Sequence, residues 1–158
     1  MQKSIFSLFV VFGLTIVFAL GASAQTSRKS VSAAEVNGTF RMNFQGKFRK
    51  FSNTIKILAL GGGKIRFEMD LVFPYTMRSG EPMINMGGLD AEADIEADVA
   101  EYTSEDGKCK MTIKFVRAGT IKVTQDGSSA ACGFGHNVMA EGTYTKVSGK
   151  KPTFEETN

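Results

Sequence analysis

The sequence predicts an all-β protein, a single antiparallel meander that closes into a small barrel or packs as a two-layer sandwich. Three observations carry that prediction. From Asn37 onward the apolar residues recur with a period of two rather than the helical 3.6. The alternating runs are separated by short turns containing Gly or Asp. Outside one acidic stretch, no segment sets its apolar residues at helical spacing.

The first element is an address rather than part of the fold. Lys3 supplies a positive start, Ile5 to Leu20 is an apolar core of 16 residues, and Ala22-Ser23-Ala24 is a small-residue cleavage pattern before Gln25. A membrane span needs roughly 20 apolar residues, so residues 1–24 are expected to be a signal peptide cleaved after Ala24, not a stable anchor. The product is then secreted or periplasmic. Residues 25–36 read as a flexible lead-in, residues 37–147 as the β-domain, and residues 148–158 as a flexible tail.

Phe40, Met42 and Phe44, with Phe48 after Gly46, alternate with Arg41, Asn43, Gln45 and Lys47 and form the first expected strand. Ile55, Ile57 and Ala59 repeat the alternation. Gly61-Gly62-Gly63 then turns the chain into Ile65, Phe67, Met69, Leu71 and Phe73, so strands two and three are a hairpin. Cys109, Met111, Ile113 and Phe115, the turn Arg117-Ala118-Gly119, and Ile121 and Val123 make a second hairpin. Val138, Ala140 and Tyr144 continue into a last strand with a bulge at Gly142. Gly38-Thr39-Phe40 near the start is echoed by Gly142-Thr143-Tyr144 near the end, which suggests that the first and last strands pair and remove the sheet edges.

Leu89 to Val99 sets two patterns against each other. Ala and Glu favour helix, and Ala91, Ile95, Val99 and Tyr102 fall at helical spacing. Against this, Leu89, Ala91, Ala93, Ile95, Ala97 and Val99 alternate without interruption with Asp90, Glu92, Asp94, Glu96 and Asp98. The longer pattern predicts a strand with its odd residues buried and its acids exposed, and with a turn near Ala97-Asp98 leading to a further strand from Val99 to Thr103. Pro74 to Gly88 reads as one long irregular connection carrying Tyr75, Met77, Met83, Ile84 and Met86. Such a loop plugs the barrel, acts as a lid over an apolar ligand cavity, or serves as an adaptable contact surface.

Cys109 and Cys132 are the only cysteines, and in the oxidising compartment implied by the leader they are expected to form one disulfide. Closing that loop adds about 3.5 kcal/mol in the chain-entropy account. Two Cys and the lone His136 do not supply the four N or S ligands of a structural zinc, so no metal or other cofactor is expected.

The net charge of +3 conceals segregation: residues 25–66 sum to +8, residues 67–106 to −10 and residues 107–158 to +4. Either oppositely charged strands lie side by side and pair across the sheet, or Asp90, Glu92, Asp94, Glu96 and Asp98 form an acidic row that attracts a basic envelope protein, with Met77, Met83 and Met86 beside it. Alternate residues on a strand project about 7 Å apart and do not wrap one calcium ion. Lys47-Phe48-Arg49-Lys50-Phe51 interleaves cations with aromatics, but an exported protein does not meet nucleic acid, and a solvated basic strand end accounts for the run.

Enzymatic signatures are weak. Gly61-Gly62-Gly63-Lys64 lacks the spacing and following helix of a phosphate loop, and no G-x-S-x-G elbow occurs. His136 sits in a glycine-flanked loop next to Cys132. Glu68 and Asp70, two apart on one strand face, are the remaining hydrolase candidates and would need a cleft shared with His136. Asn37-Gly38-Thr39 is a glycosylation sequon by its letters.

Ala100 and Tyr102, Cys109, Val123-Thr124-Gln125, the run Cys132-Gly133-Phe134-Gly135-His136-Asn137-Val138 and Gly142-Thr143-Tyr144 together resemble a pattern of small exported bacterial proteins, most of them uncharacterised. The resemblance is strongest in the last third of the chain. It implies a secreted or periplasmic β-fold with one disulfide and no particular activity. A looser architectural similarity is to periplasmic lysozyme inhibitors, with no motif matched residue by residue. The expected function is therefore a non-enzymatic binding protein of the cell envelope. A lipocalin-like carrier of a small apolar ligand, which needs an empty barrel, is the second expectation, and an envelope hydrolase the third.

Overall fold

A computed structural model describes residues 30–154. The expected signal peptide, its cleavage point after Ala24 and the start of the lead-in lie outside the described residues. Eight strands run β1 (Gly38–Asn43), β2 (Ser52–Gly61), β3 (Lys64–Thr76), β4 (Pro82–Glu96), β5 (Val99–Thr103), β6 (Lys110–Arg117), β7 (Thr120–Asp126) and β8 (Gly142–Ser148), each pairing with the next. β1 also pairs with β8 through Phe40↔Lys146 and Arg41↔Thr145, so the meander is a closed antiparallel barrel rather than a sandwich. An eight-stranded barrel is just wide enough for side chains to fill it. Phe40, Ile57, Phe67, Ile113, Val123 and Tyr144 do so, each at most 1% exposed.

The alternation read from the sequence is the burial alternation of the barrel. Ile65, Phe67, Met69 and Leu71 of β3 point inward while Lys64, Arg66 and Glu68 face out. Leu89 to Glu96 is strand, and the expected turn at Ala97-Asp98 separates it from β5. Burial there is shallower than expected: Ala93 is buried, but Leu89, Ala91, Ile95 and Val99 are only half-buried, and Asp98 lies in the turn rather than in the row. The cause is a seam. β3 pairs with β4 along the whole of both strands, from Lys64↔Asp94 to Thr76↔Pro82, whereas β4 meets β5 only over Asp94–Glu96.

Three other readings are corrected. Pro74 to Gly88 is not a loop: its ends are strand, and only residues 77–81 turn between β3 and β4, with Met77 N–H donating to the Glu81 carbonyl at 2.9 Å. Pro74 is tolerated because β2 pairs with β3 only as far as Thr54↔Asp70, which leaves the far half of β3 as one edge of a two-stranded arm. Where β2 runs out, the buried Asn53 side chain accepts the Val72 N–H at 2.8 Å in place of a ladder bond. Phe48 is not on the first strand but in a 3-10 turn, Gly46–Phe48, after Gly46 adopts φ +60°. Val138 and Ala140 are fully buried yet precede β8, which starts at Gly142, where a Cβ would collide with the Met42 sulfur.

Residues 30–36 are docked rather than a loose lead-in. Ser32 and Glu35 form a reciprocal capping box on a short helix, α1 (Ala33–Val36), and Val36 is buried under one end of the barrel. Lys146 of β8 clasps that helix, its Nζ donating to the carbonyls of Ala34, Glu35 and Asn37 at 3.0, 2.7 and 2.9 Å. Burial lowers the Lys146 ammonium below its usual pKa, with Glu35 acting against the shift. The tail also returns to the wall: Phe154 lies under the Arg66 guanidinium, 4.4 Å from ring centre to Cζ.

Candidate functional site

With α1 at one end, the chemistry collects at the other, where the β3–β4 arm and the β7–β8 connection approach each other. That connection, residues 127–141, is a compact plug. Cys132 N–H donates to the carbonyl of Ser128 at 3.1 Å and Phe134 N–H to that of Ser129 at 2.8 Å, while Cys132, Phe134, Val138 and Ala140 are buried. Gln125 bridges its two ends, donating to the Gly127 carbonyl at 3.1 Å and accepting from the Ala140 N–H at 2.9 Å. The expected disulfide is present. Cys109, just before β6, bonds Cys132 with a Cα separation of 4.9 Å and fixes the plug to the barrel mouth.

The plug reaches the arm through two close approaches. Phe134 lies against Gly87, where a Cβ would come within 2.8 Å of the Phe134 Cβ. Next to it the Gly135 N–H donates to the Met86 carbonyl at 3.0 Å, and the Asn85 Nδ2 donates to the His136 carbonyl at 2.7 Å. Between arm and plug an open cleft of about 440 Å³ remains, lined by Phe73, Tyr75, Asn85, His136 and Asn137. Phe73 and Tyr75 continue the inward-facing parity of β3 past the barrel rim. Their rings lie nearly parallel, at 19°, with centroids 6.5 Å apart. Asn137 is held at φ +62°, one of two non-glycine residues with positive φ among the described residues.

The acidic row is placed elsewhere and is largely partnered. Arg66 makes a two-pronged contact with Asp90, at 3.0 and 2.7 Å, and Lys64 meets Asp94 at 2.9 Å. The bonds to these carboxylates raise the pKa of both cations. Glu92 sits directly across the ladder from Arg66. Segregated charge in the sequence thus becomes cross-strand pairing on the outer wall. Met77, Met83 and Met86 of the arm are exposed at 45, 44 and 68%.

Of the catalytic candidates, Glu68 is bonded to Lys56 at 2.6 Å on the outer wall, while His136 lines the mouth, so the two are not gathered. Asn37, the sequon residue, accepts the Ala59 N–H with its Oδ1 at 2.7 Å. Among the described residues no group of three or more His, Cys, Asp or Glu is arranged to hold a metal ion, and no helix is long and apolar enough to cross a membrane. The sequence reading missed Phe73, Tyr75, Asn85 and Asn137 as a set. The one available signal was the continued alternation of Phe73 and Tyr75 beyond Leu71.

Neither a family model, nor a curated protein, nor a solved structure matches this chain.

Proposed function

We propose that this is an exported, non-enzymatic binding protein of the cell envelope that receives its ligand at the open mouth of the barrel. One observation carries the reading: the barrel interior is filled by side chains, whereas the mouth keeps an open cleft with an aromatic wall and neutral polar groups. The filled interior weighs against a lipocalin-like carrier. The cleft lining pairs its imidazole with no carboxylate, which weighs against hydrolysis. Export is supported by the leader pattern and by a disulfide that a reducing compartment would not maintain. A protein-observed NMR screen of small neutral molecules against the isotope-labelled protein tests the reading. Resonance shifts confined to Asn85, His136 and Asn137 are expected, and ligands that shift only other surfaces would refute it.

A second reading is favoured by the exposed Met77, Met83 and Met86: the arm contacts a partner protein through adaptable apolar surface, the acidic row being paired with its own barrel wall. Binding to a probe protein such as lysozyme tests it, using the wild type and a variant with Met77, Met83 and Met86 changed to Ser. Affinity that the variant shares unchanged would retire it.

A further inference from the structure

We infer that the ligand class of the mouth cleft is a neutral carbohydrate, a sugar ring set against Phe73 and Tyr75 with its hydroxyl groups on Asn85, His136 and Asn137. This inference rests on the proposed reading of the cleft as a ligand site.

Charge is the first argument. The five lining residues include no Asp, Glu, Lys or Arg, although the outer wall only a few residues away is crowded with them. An ionic ligand entering such a site would give up hydration without gaining a counter-charge. A purely apolar ligand fares badly for the opposite reason. It would cover two amides and an imidazole without satisfying them, and each buried polar group left without a partner costs about 1–3 kcal/mol.

A sugar matches both halves of the lining. One face of its ring presents polarised C–H groups, which the negative face of an aromatic ring attracts. Its edge is a fringe of hydroxyls, each both donor and acceptor. A carboxamide also carries both functions: Asn85 uses one N–H on the His136 carbonyl and keeps its second N–H and its Oδ1. The two nearly parallel rings, with centroids 6.5 Å apart, give the cleft an aromatic wall against which the C–H face of a sugar ring can lie. The volume of about 440 Å³ lies within the range of small-ligand sites.

The site is also preorganised. Asn85 is tied to the plug, the plug is tied to β6 by the Cys109–Cys132 disulfide, and the Asn137 backbone is fixed in a left-handed conformation. Binding then costs little ordering entropy, which a weakly interacting ligand such as a sugar requires.

The test follows the side-chain amide signals of Asn85 and Asn137 and the imidazole of His136 in the full exported chain. Three probes are titrated: a β-linked N-acetylglucosamine tetramer, a β-linked glucose tetramer and 1-octanol. Saturable shifts at these groups with at least one tetramer are expected. They should weaken about tenfold in Tyr75→Ala and in Asn137→Gly, each an interaction worth about 1.4 kcal/mol, and stay unchanged in Leu60→Ala, an exposed position of β2 near the α1 end of the barrel. Asn137→Gly keeps the positive φ without strain, the barrel amide signals of Tyr75→Ala show whether it is folded, and in Asn137→Gly the shifts are read at Asn85 and His136. Shifts with 1-octanol alone would overturn the carbohydrate assignment and leave the cleft a ligand site. No shift at these groups with any probe would overturn both.

Discussion

Asn85 and His136, 51 residues apart in sequence, are joined by a single 2.7 Å bond from the Asn85 amide to the His136 main-chain carbonyl. This bond and the neighbouring Gly135 N–H to Met86 carbonyl bond are the hydrogen bonds that hold the arm to the plug among the described residues. Replacing Asn85 by Ala should cost about 0.5–1.5 kcal/mol of global stability, the usual net worth of one such bond. The sharper consequence is local: hydrogen exchange at the Gly135 amide should accelerate more than at β2 or β6. Equal acceleration everywhere would mean that the tether is not local.

Gly87 is required by close approach rather than by backbone freedom. A Cβ there would meet Phe134 at 2.8 Å, whereas one on Gly88 would reach only the Met69 carbonyl, at 3.4 Å. Gly87→Ala should therefore destabilise the protein by about 1–3 kcal/mol through overpacking, and Gly88→Ala by clearly less. Chemical unfolding of the two variants side by side measures the difference. Equal costs would show that the arm simply moves away from the plug.

Cys109 and Cys132 close a loop with a sequence separation of 23. A Cys109→Ala, Cys132→Ala double variant should lose about 2–4 kcal/mol and lower the denaturant midpoint accordingly. The Cα atoms lie only 4.9 Å apart, so much of the native packing should survive once the variant folds. The signals of Phe134 and His136 should show the largest changes. Unchanged stability would mean that the plug is held by its own hydrogen bonds.

Tyr144 provides a pH signature. Its hydroxyl is buried and donates to the Ala140 carbonyl at 2.8 Å. Burial raises its pKa well above the usual 10.0, with the Asn53 side chain acting against the shift. The unfolded chain thus loses this proton first. Stability contributed by the neutral phenol is complete below pH 10 and falls above it, by up to about 1.4 kcal/mol per pH unit. Unfolding free energies at pH 8, 10 and 11 should show a steeper alkaline decline for wild type than for Tyr144→Phe. Parallel curves would exclude Tyr144 as the cause.

What the sequence disclosed was the part of the fold built from uninterrupted alternation. β3 as far as Leu71, β6 and β7 satisfy a period of two because one face of each is buried in the barrel, and the Gly61-Gly62-Gly63 and Arg117-Ala118-Gly119 turns lie where glycine can take positive φ. The arm was hidden because its burial follows no period of two: Pro74 is buried, Phe73 and Tyr75 are half-buried, and Met83 and Met86 are exposed. The plug misled for the reverse reason: Val138 and Ala140 are buried at strand spacing without being in a strand. α1 was announced only by Ser32 and Glu35, three apart. Of the cleft only the alternation of Phe73 and Tyr75 was legible, since the Phe73↔Asn85 register and the crossing at Met86 and Gly135 bring the rest of its lining together, and neither is encoded by spacing.

The pairing of β1 with β8 and the grip of Lys146 on the carbonyls of residues 34, 35 and 37 also bear on the order of events during folding. Every hairpin from β2 to β7 can form early, because its partners are adjacent in the chain. The cylinder cannot shut, nor its helical lid seat, until the last strand docks on the first. Until then the sheet carries an open margin at each side, and those margins are the places where a copy of the same chain could bind in place of β8. Closure joins the two ends of the fold and is the longest-range contact it makes, so it should set the folding rate, slow for a chain of this size.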